Sequence, residues 1–343
     1  MSVFTNLFSR IRRVVVVLAV VVLVTLVAGG GAFYFWANRP MTLAQKELDV
    51  AIRPRSSLRA VALQLNHAGV PVNRVLFEVL ARSKRLSTAL KSGNYAFDNG
   101  ITPYQLLLKV ARGDVNQYVA TIIEGWDFAR MRGEIDQNPS LKHDTAAMSS
   151  EQLMTAIGAP GMPPEGRFFP DTYLFPEGTS DLDIYRRAYR VAQQRLDEFW
   201  QARSPNLPPA LAQPVDVLIL ASLVEKETGR SAERAQVAAV FVNRLKIGMP
   251  LQTDPSVVYG LGAAFSGRLR KKDLATDTPY NTYLHTGLPP TPIALPGAAA
   301  LEAATHPAPS PSLYFVARGD GSSEFSSTLT EHNRAVDKYQ RGK

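Results

Sequence analysis

The chain has 343 residues, with 38 Lys and Arg, 30 Asp and Glu, 45% hydrophobic residues and no Cys. This length fits about two globular domains plus a short extra segment, and the apolar content excludes a wholly disordered protein. The lack of Cys excludes disulfide scaffolds, thiolate metal sites and Cys nucleophiles. The net charge of +8 is spread along the chain, which argues against a nucleic-acid partner and suits an acidic polymer or an anionic surface.

An uncharged segment, 14–36, follows a basic N-terminus that contains Arg10, Arg12 and Arg13. As a helix it would be about 34 Å long, enough to cross a hydrocarbon core of about 30 Å. The arginines place residues 1–13 in the cytoplasm and the chain after Asn38 in the periplasm. We therefore predict a single-pass anchor in the cell inner membrane. A cleaved signal peptide is the alternative, because small residues occur at the end of the apolar segment.

Residues 46–122 are predicted to alternate short strands with helices, as in small α/β binding modules. Alternating apolar residues predict a strand at 47–53, and further strands are expected at 94–97 and 118–123. Ser56 or Ser57 is suited to cap a helix that ends at Gly69. Two more helices are expected, one starting near Asn73 and one at 102–111. The inward residues of the helix that starts near Asn73 are predicted to be Val75, Leu76, Val79 and Leu80.

Residues 123–181 are predicted to be a proline-rich connecting region with an aromatic segment at 165–173. A last domain, 182–340, opens with an amphipathic helix at 182–202. The next helix, 215–228, is apolar on every face until its end, which is typical of a central buried helix. Gly229 is suited to end it, and Ser231 to cap a further helix that runs to Gly248. Beyond that helix we expect mostly loops and one strand at 314–317, so the predicted fold class is α+β.

The end of the apolar helix carries the sequence Glu225-Lys226-Glu227. Residues two apart on a helix point about 200° away from each other, so the two glutamates cannot line one cleft. At most one is catalytic, and the other is expected to pair with Lys226, Arg230 or Arg234. A carboxyl held half-buried among apolar groups has a raised pKa and can serve as a general acid. A solvated or salt-bridged helix end is the alternative.

The five histidines form no short-range pair and no His-Glu-x-x-His helix, so we predict no metal site. There is no Gly-x-Ser-x-Gly elbow and no phosphate-binding glycine loop, and no cofactor is expected. From the residues alone, the chain is an anchored extracytoplasmic protein with one candidate catalytic glutamate.

Many short motifs follow one another along the chain. They are EGW (124–126), FPDTY (169–173), ASLVEKET (221–228), NRL (243–245), GM (248–249), LQTDP (251–255), YG (259–260), YNTY (280–283), GLPP (287–290), HP (306–307), YFVA (314–317) and EHN (331–333). In this order they resemble the YceG-like family of endolytic murein transglycosylases, and the resemblance covers about 46–340 and the N-terminal anchor. Thr291 departs from the family pattern, in which Gly is common after the paired prolines, and the 262–277 loop is variable.

The resemblance implies a LysM-like subdomain at 46–122 and a catalytic domain at 182–340. It implies cleavage within nascent peptidoglycan glycan strands to leave 1,6-anhydro-N-acetylmuramic ends, with Glu227 as the general acid and then the base. By family motif, the candidate substrate-binding residues are Gln252, Asp254, Tyr280 and Asn281, for each of which a loop-bracing role is the alternative. It also implies that the enzyme works beside peptidoglycan synthases of the elongation or division machinery.

Two other functions remain open from the sequence. One is a non-catalytic peptidoglycan-binding or divisome scaffold, for which the LysM-like region and the anchor would suffice. The other is a true glycan hydrolase, in which Asp254 or Glu233 would activate water for a reaction with Glu227 as the acid.

Overall fold

A computed structural model describes residues 2–115 and 117–342, without the side chains of residues 2–15, 17 and 19. Arg10, Arg12, Arg13 and the first part of the predicted span therefore lie outside the described side chains. The chain divides into two compact units, with the boundary between Tyr118 and Val119.

The described residues of the first unit form four helices and a two-stranded antiparallel sheet. Its elements are α1 (Ser2–Asn38), β1 (Glu47–Ile52), α2 (Leu58–His67), α3 (Arg74–Ser83), β2 (Gly93–Asp98) and α4 (Pro103–Arg112). β1 pairs with β2 in the register Val50 to Tyr95. The strands and helices share one apolar core, because β1 buries alternate residues and each amphipathic helix buries one face.

Helix capping follows the sequence closely in this unit. Ser57 caps α2 by accepting the N–H of Ala60, and Asn73 caps α3 in the same way. α4 begins with a reciprocal capping box between Thr102 and Gln105. The inward face of α3, however, was predicted only in part. Leu80 is buried as expected, whereas Val75 and Val79 are exposed, because the helix turns Phe77 and Ala81 into the core beside Leu80.

α1 contains the window Val20–Asn38, with a mean hydropathy of 2.0 and only 6% of the window buried. By length and composition it could cross a membrane, a property that signal sequences share. Among the residues with described side chains, this window ends two residues beyond the predicted span of 14–36.

The second unit is also mixed α and β. Its elements are β3 (Tyr118–Thr121), α5 (Phe128–Asp136), β4 (Leu141–Lys142), α6 (Ser150–Ala156), β5 (Thr172–Phe175), β6 (Thr179–Ser180), α7 (Asp181–Gln201), α8 (Pro214–Glu227), α9 (Ser231–Lys246), α10 (Asp254–Leu261), α11 (Lys271–Leu274), α12 (Ala298–Thr305), β7 (Tyr314–Ala317), β8 (Ser323–Ser326) and α13 (Leu329–Tyr339). The strands form three short sheets among the described residues, β3 with β5, β4 with β6 and β7 with β8.

Helix α8 is surrounded by other helices. Every residue from Val217 to Val224 is buried, and α7, α9, α10 and α12 all contact α8. Such a helix can be apolar all round because it presents no face to solvent. The first charged side chains after this buried stretch belong to Glu225, Lys226 and Glu227, in the last turn. α8 therefore holds these residues on a rigid base.

Most of the described residues after 248 lie in loops, as expected, but α10, α12 and α13 were not predicted. Two terminal assignments at the α8–α9 turn were wrong. Thr228, in an extended conformation, ends α8, and Gly229 does not adopt the left-handed conformation of a glycine cap. Arg230, not Ser231, is the N-cap of α9.

Candidate active site

Glu227 is the last residue of α8, and its side chain is partly buried. Its Oε2 accepts a 2.6 Å hydrogen bond from the hydroxyl of Thr253, at the start of α10. Burial raises the pKa of Glu227, and the charge of Asp254 raises it further. The hydrogen bond from Thr253 and the charge of Arg244 oppose this shift. The balance favours the protonated carboxyl beyond the usual range of a glutamate, which suits a general acid.

Glu225 lies on a different face of the same helix end. It accepts 2.9–3.0 Å hydrogen bonds from the backbone N–H of Gly297 and the guanidinium of Arg234. Both charged side chains are largely buried. Pairing with Arg234 is one of the three ion pairs expected for whichever of the two glutamates is not catalytic. Since Glu225 and Glu227 contact different elements, the structure separates the two carboxyls as the helical spacing predicts.

Lys226 braces the end of α8 against the EGW motif. Its ammonium group donates to the carbonyl of Gly125 at 3.1 Å. The N–H of Gly125 in turn donates to the carbonyl of Leu295, and the N–H of Leu295 donates to the carbonyl of Trp126. The backbone of the motif is therefore hydrogen-bonded both to α8 and to the segment that precedes α12.

The loop from Pro250 to Asp254 carries Thr253, which is hydrogen-bonded to Glu227, and Asp254, whose charge acts on it. Gln252 has a φ of 48°, a left-handed conformation that is uncommon for a residue other than glycine. Its exposed side chain projects from this tight bend. The backbone N–H groups of Gln252 and Thr253 donate to the carbonyl and the hydroxyl of Thr282, each at 3.0 Å. Two loops distant in sequence are thereby joined beside the candidate acid.

Asp254 is exposed and accepts a 2.6 Å hydrogen bond from the hydroxyl of Tyr283. It follows Thr253 directly, and its charge acts on Glu227. Glu233 is the other carboxyl considered as a partner for Glu227 in hydrolysis. It accepts a 3.0 Å hydrogen bond from the backbone N–H of Ser323. Of these two carboxylates, Asp254 is the one placed on the loop that holds Glu227.

The remaining candidate residues, Tyr280 and Asn281, differ in their environments. The Tyr280 hydroxyl lies 2.9 Å from that of Thr291, and its ring packs edge-on against Tyr259. Asn281 is fully buried. Its amide donates to two backbone carbonyls and its oxygen accepts the N–H of Tyr283. These contacts give Asn281 a role in shaping its loop.

Sequence reasoning assigned no role to Thr253, although Thr253 lies between the two predicted residues Gln252 and Asp254. A threonine before Asp-Pro fits a helix start, and nothing in the local pattern distinguishes the hydroxyl that touches Glu227. Thr253 and Glu227 are 26 residues apart, so only tertiary structure brings them together.

Glu165 is another buried carboxyl to which the sequence assigned no role. It accepts hydrogen bonds from the N–H of Phe128, at the start of α5, and from the hydroxyl of Tyr259, on α10. Burial raises its pKa to about 7, and the nearby charge of Asp127 adds to the shift, while these hydrogen bonds oppose it. Glu165 therefore links the aromatic segment to α10, the helix that follows Thr253.

Because the folded-state pKa of Glu165 lies above its ordinary value of 4.5, its stabilising contribution is present at acidic pH and is lost as pH rises to about 7. We expect the free energy of unfolding to fall over this window by about 3 kcal/mol from this group alone. Glu165→Gln should show a shallower decline in urea unfolding between pH 5 and pH 7.5. Parallel pH profiles for the two proteins would contradict the assignment.

One group of residues in the second unit offers donor atoms of the kind that bind metals. Atoms of Asp136, His143 and Asp181 lie within 4.8 Å of one another. The carboxylate of Asp181 already accepts hydrogen bonds from the N–H and hydroxyl of Thr145. Arg132 lies 3.8 Å from the carboxylate of Asp136. These contacts account for the cluster without an ion.

Comparison with known proteins places the whole arrangement in one family. The model of the YceG-like family matches residues 50–338, which is most of the chain and includes every candidate residue. The chain belongs to the YceG-like family.

YceG-like relatives include a Bacillus subtilis (strain 168) protein named endolytic murein transglycosylase. It is 31% identical over 85% of this chain and 84% of its own length. A Streptococcus pneumoniae protein with the same name, from serotype 2 strain D39, is 26% identical over 88% of this chain, which spans 60% of that relative's length. The crystal structure of a YceG-like protein from Listeria monocytogenes is similar, with a TM-score of 0.53 and 28% identity over 85% of this chain and 99% of that one.

Proposed function

We propose that this protein is an endolytic murein transglycosylase that cuts the bond between N-acetylmuramic acid and N-acetylglucosamine within peptidoglycan glycan strands. The observation that carries the proposal is the setting of Glu227. It combines a rigid apolar helix, a raised pKa and a hydroxyl partner in a chain whose relatives bear that enzyme name.

The reaction needs one carboxyl that works twice. Protonated Glu227 donates its proton to the glycosidic oxygen as the bond to C1 of N-acetylmuramic acid breaks, and the N-acetylglucosamine leaves with a free hydroxyl. The C6 hydroxyl of the same muramic residue then attacks C1, and the Glu227 carboxylate takes the proton from that hydroxyl. The products are a 1,6-anhydro end and a reprotonated Glu227, and no water is consumed.

Asp254 suits the charge that develops during this reaction. Bond breaking leaves positive charge on the sugar ring, and Asp254 is an exposed carboxylate next to Thr253. Its hydrogen bond from Tyr283 fixes the carboxylate's direction. We propose that Asp254 stabilises this charge, that Gln252 and Tyr280 bind the glycan, and that Asn281 shapes the loop on which Tyr280 lies.

The anchor and the accessory domain are part of the same proposal. We propose that α1 holds the enzyme in the inner membrane with its catalytic domain in the periplasm, beside peptidoglycan synthases that supply new strands. The apolar window of α1 supports this anchor, and retention of the full chain in membranes after alkaline extraction would test it. We also propose that residues 46–122 form a LysM-like subdomain, which the compact first unit and its capped helices support.

Mass spectrometry of the new chain ends tests the reaction. The detergent-solubilised full chain is incubated with glycan strands, and the products are compared with those of a known hydrolase. Anhydro ends, one water lighter than reducing ends, are expected. Reducing ends would favour a hydrolase in which Asp254 activates water, and intact strands that still bind the protein would favour a scaffold.

A further inference from the structure

Three sequence motifs without an assigned role meet near Glu227. They are NRL on α9, YFVA in β7 and EHN on α13. The guanidinium carbon of Arg244 lies 5.4 Å from the ring centroid of Tyr314. The rings of Tyr314 and His332 stack with centroids 5.1 Å apart and planes at 22°. Residues from three distant parts of the chain thus pack as one group.

Arg244 is buried, with 7% of its surface exposed, and its hydrogen bonds go to backbone carbonyls. Nε donates to Leu313 and Nη1 donates to Leu251, each at 2.7 Å, with Pro250 at 3.4 Å from Nη1. Among the described residues, no carboxylate lies within 4.0 Å of its guanidinium. A buried guanidinium is costly to desolvate, so this arrangement calls for an explanation beyond ordinary ion pairing.

Two of the carbonyls that Arg244 contacts, those of Pro250 and Leu251, belong to the loop that carries Thr253. Leu251 precedes Gln252, which has a left-handed φ of 48°. Thr282 holds the N–H groups on the far side of this bend. The bend is therefore fixed from both sides, by Arg244 before it and by Thr282 after it.

We propose that Arg244 is a positioning residue for glycan cleavage: its guanidinium fixes the 250–254 loop so that the Thr253 hydroxyl holds the carboxyl of Glu227 in its reactive orientation. Tyr314 packs beside the guanidinium and His332 stacks on Tyr314, which keeps the guanidinium in place. This inference rests on the proposed function, because it takes Glu227 as the acid.

The charges around the site agree with this role. Glu227 faces Arg244 from α9, Asp254 from α10, and Tyr283 from the loop before α12. Burial and the charge of Arg244 lower the pKa of His332, which keeps the imidazole neutral beside the guanidinium at neutral pH. Arg244 is thus the cation that acts on Glu227, and it does so without pairing with it directly.

Two substitutions separate the geometry of Arg244 from its charge. Arg244→Lys keeps the charge but loses the planar fork that reaches both Leu251 and Leu313. We expect its kcat to fall by about 10-fold to 100-fold with little change in KM, because small displacements of a catalytic group have effects of this size. Arg244→Gln should lower kcat by a similar factor. The alkaline limb of its pH–activity profile should also move to higher pH, because the Glu227 carboxylate loses a stabilising positive charge.

Arg234→Gln is the matched control, because Arg234 is a second largely buried arginine on α9 but contacts Glu225. It should lower the melting temperature and leave both kcat and the pH profile as in the wild type. If Arg244→Lys behaves like this control, losing stability alone, the positioning role is wrong.

A double-mutant cycle with Thr253→Val keeps the test independent of moderate losses in folding. If Arg244 acts through Thr253, Arg244→Lys should reduce kcat much less in the Thr253→Val background than in the wild type. Additive effects would overturn the inference.

Glu227→Gln is measured beside these variants. An inactive Glu227→Gln with a fully active Arg244→Lys would reject the positioning role alone, whereas an active Glu227→Gln would reject the proposed acid.

Discussion

Glu227→Gln is expected to lower the rate of glycan cleavage by at least about 10³-fold, since in the proposed reaction this one group supplies both the acid and the base step. The amide cannot donate a proton to the leaving oxygen or accept one from the C6 hydroxyl. Its shape is nearly that of the carboxyl, and it can still accept the hydrogen bond from Thr253. Folding and glycan binding should therefore persist. Mass spectrometry of products and a parallel binding assay would measure the two effects.

Glu225→Gln is the matched control for this variant. Glu225 is two residues away on the same helix turn, and its partners are Arg234 and the N–H of Gly297. Its replacement leaves a buried guanidinium without a counter-charge, so stability should fall while the folded fraction remains active. If Glu225→Gln is well folded but inactive and Glu227→Gln is active, the acid has been assigned to the wrong glutamate.

Gly166→Ala is expected to lower the free energy of unfolding by about 3 kcal/mol, the sum of backbone strain and overpacking. Gly166 has a φ of 74°, and an added Cβ would lie 2.4 Å from the Cβ of Pro292. Pro292 has little freedom to move away. The N–H of the next residue, Ile293, is hydrogen-bonded to the hydroxyl of Ser222 within α8.

Gly161→Ala provides the control, because Gly161 has the same φ of 74° and no atom within 4 Å of the added Cβ. Gly161→Ala should lower the free energy of unfolding by about 1 kcal/mol, from backbone strain alone. Urea unfolding of both variants at one pH would compare them. Equal losses would mean that the contact with Pro292 relaxes freely.

The parts of the fold that the sequence predicts well are those with strong local signals. The elements of the first unit have side-chain caps and regular apolar spacing, and the long helices α7 and α8 lie within one or two residues of their expected positions. The ion pair of Glu225 with Arg234 was among the expected alternatives. In these cases local chemistry and tertiary packing favour the same structure.

The missed helices have ambiguous local signals. α10 begins with Asp254-Pro255, a pair that favours turns as well as helix starts. α12 is rich in alanine and starts at Gly297 without a side-chain cap, so its helical state depends on packing against α8 and α9. In α3, regular spacing correctly placed Leu80 inside but wrongly placed Val75 and Val79 there, because the bulk of Phe77 turns its own side of the helix into the core.

The surroundings of the candidate acid are the least predictable part. Arg244 and Leu313 are 69 residues apart, and Thr253 and Thr282 are 29 apart. Such pairs join loops with no regular periodicity, so no sequence pattern indicates which hydroxyl or carbonyl will be near. Sequence motifs single out Glu227 as the candidate, whereas only tertiary structure shows which groups contact it.

The burial of α8 has a consequence for how the enzyme loses activity. Backbone amides in a helix enclosed by other helices exchange with solvent only when the whole unit opens, so this helix belongs to the slowest-exchanging part of a protein. Glu227 is attached to the end of that helix and not to a mobile lid. Loss of activity on heating should then coincide with global unfolding of the second unit. We expect no lower temperature at which the unit is still folded but Glu227 has moved out of position.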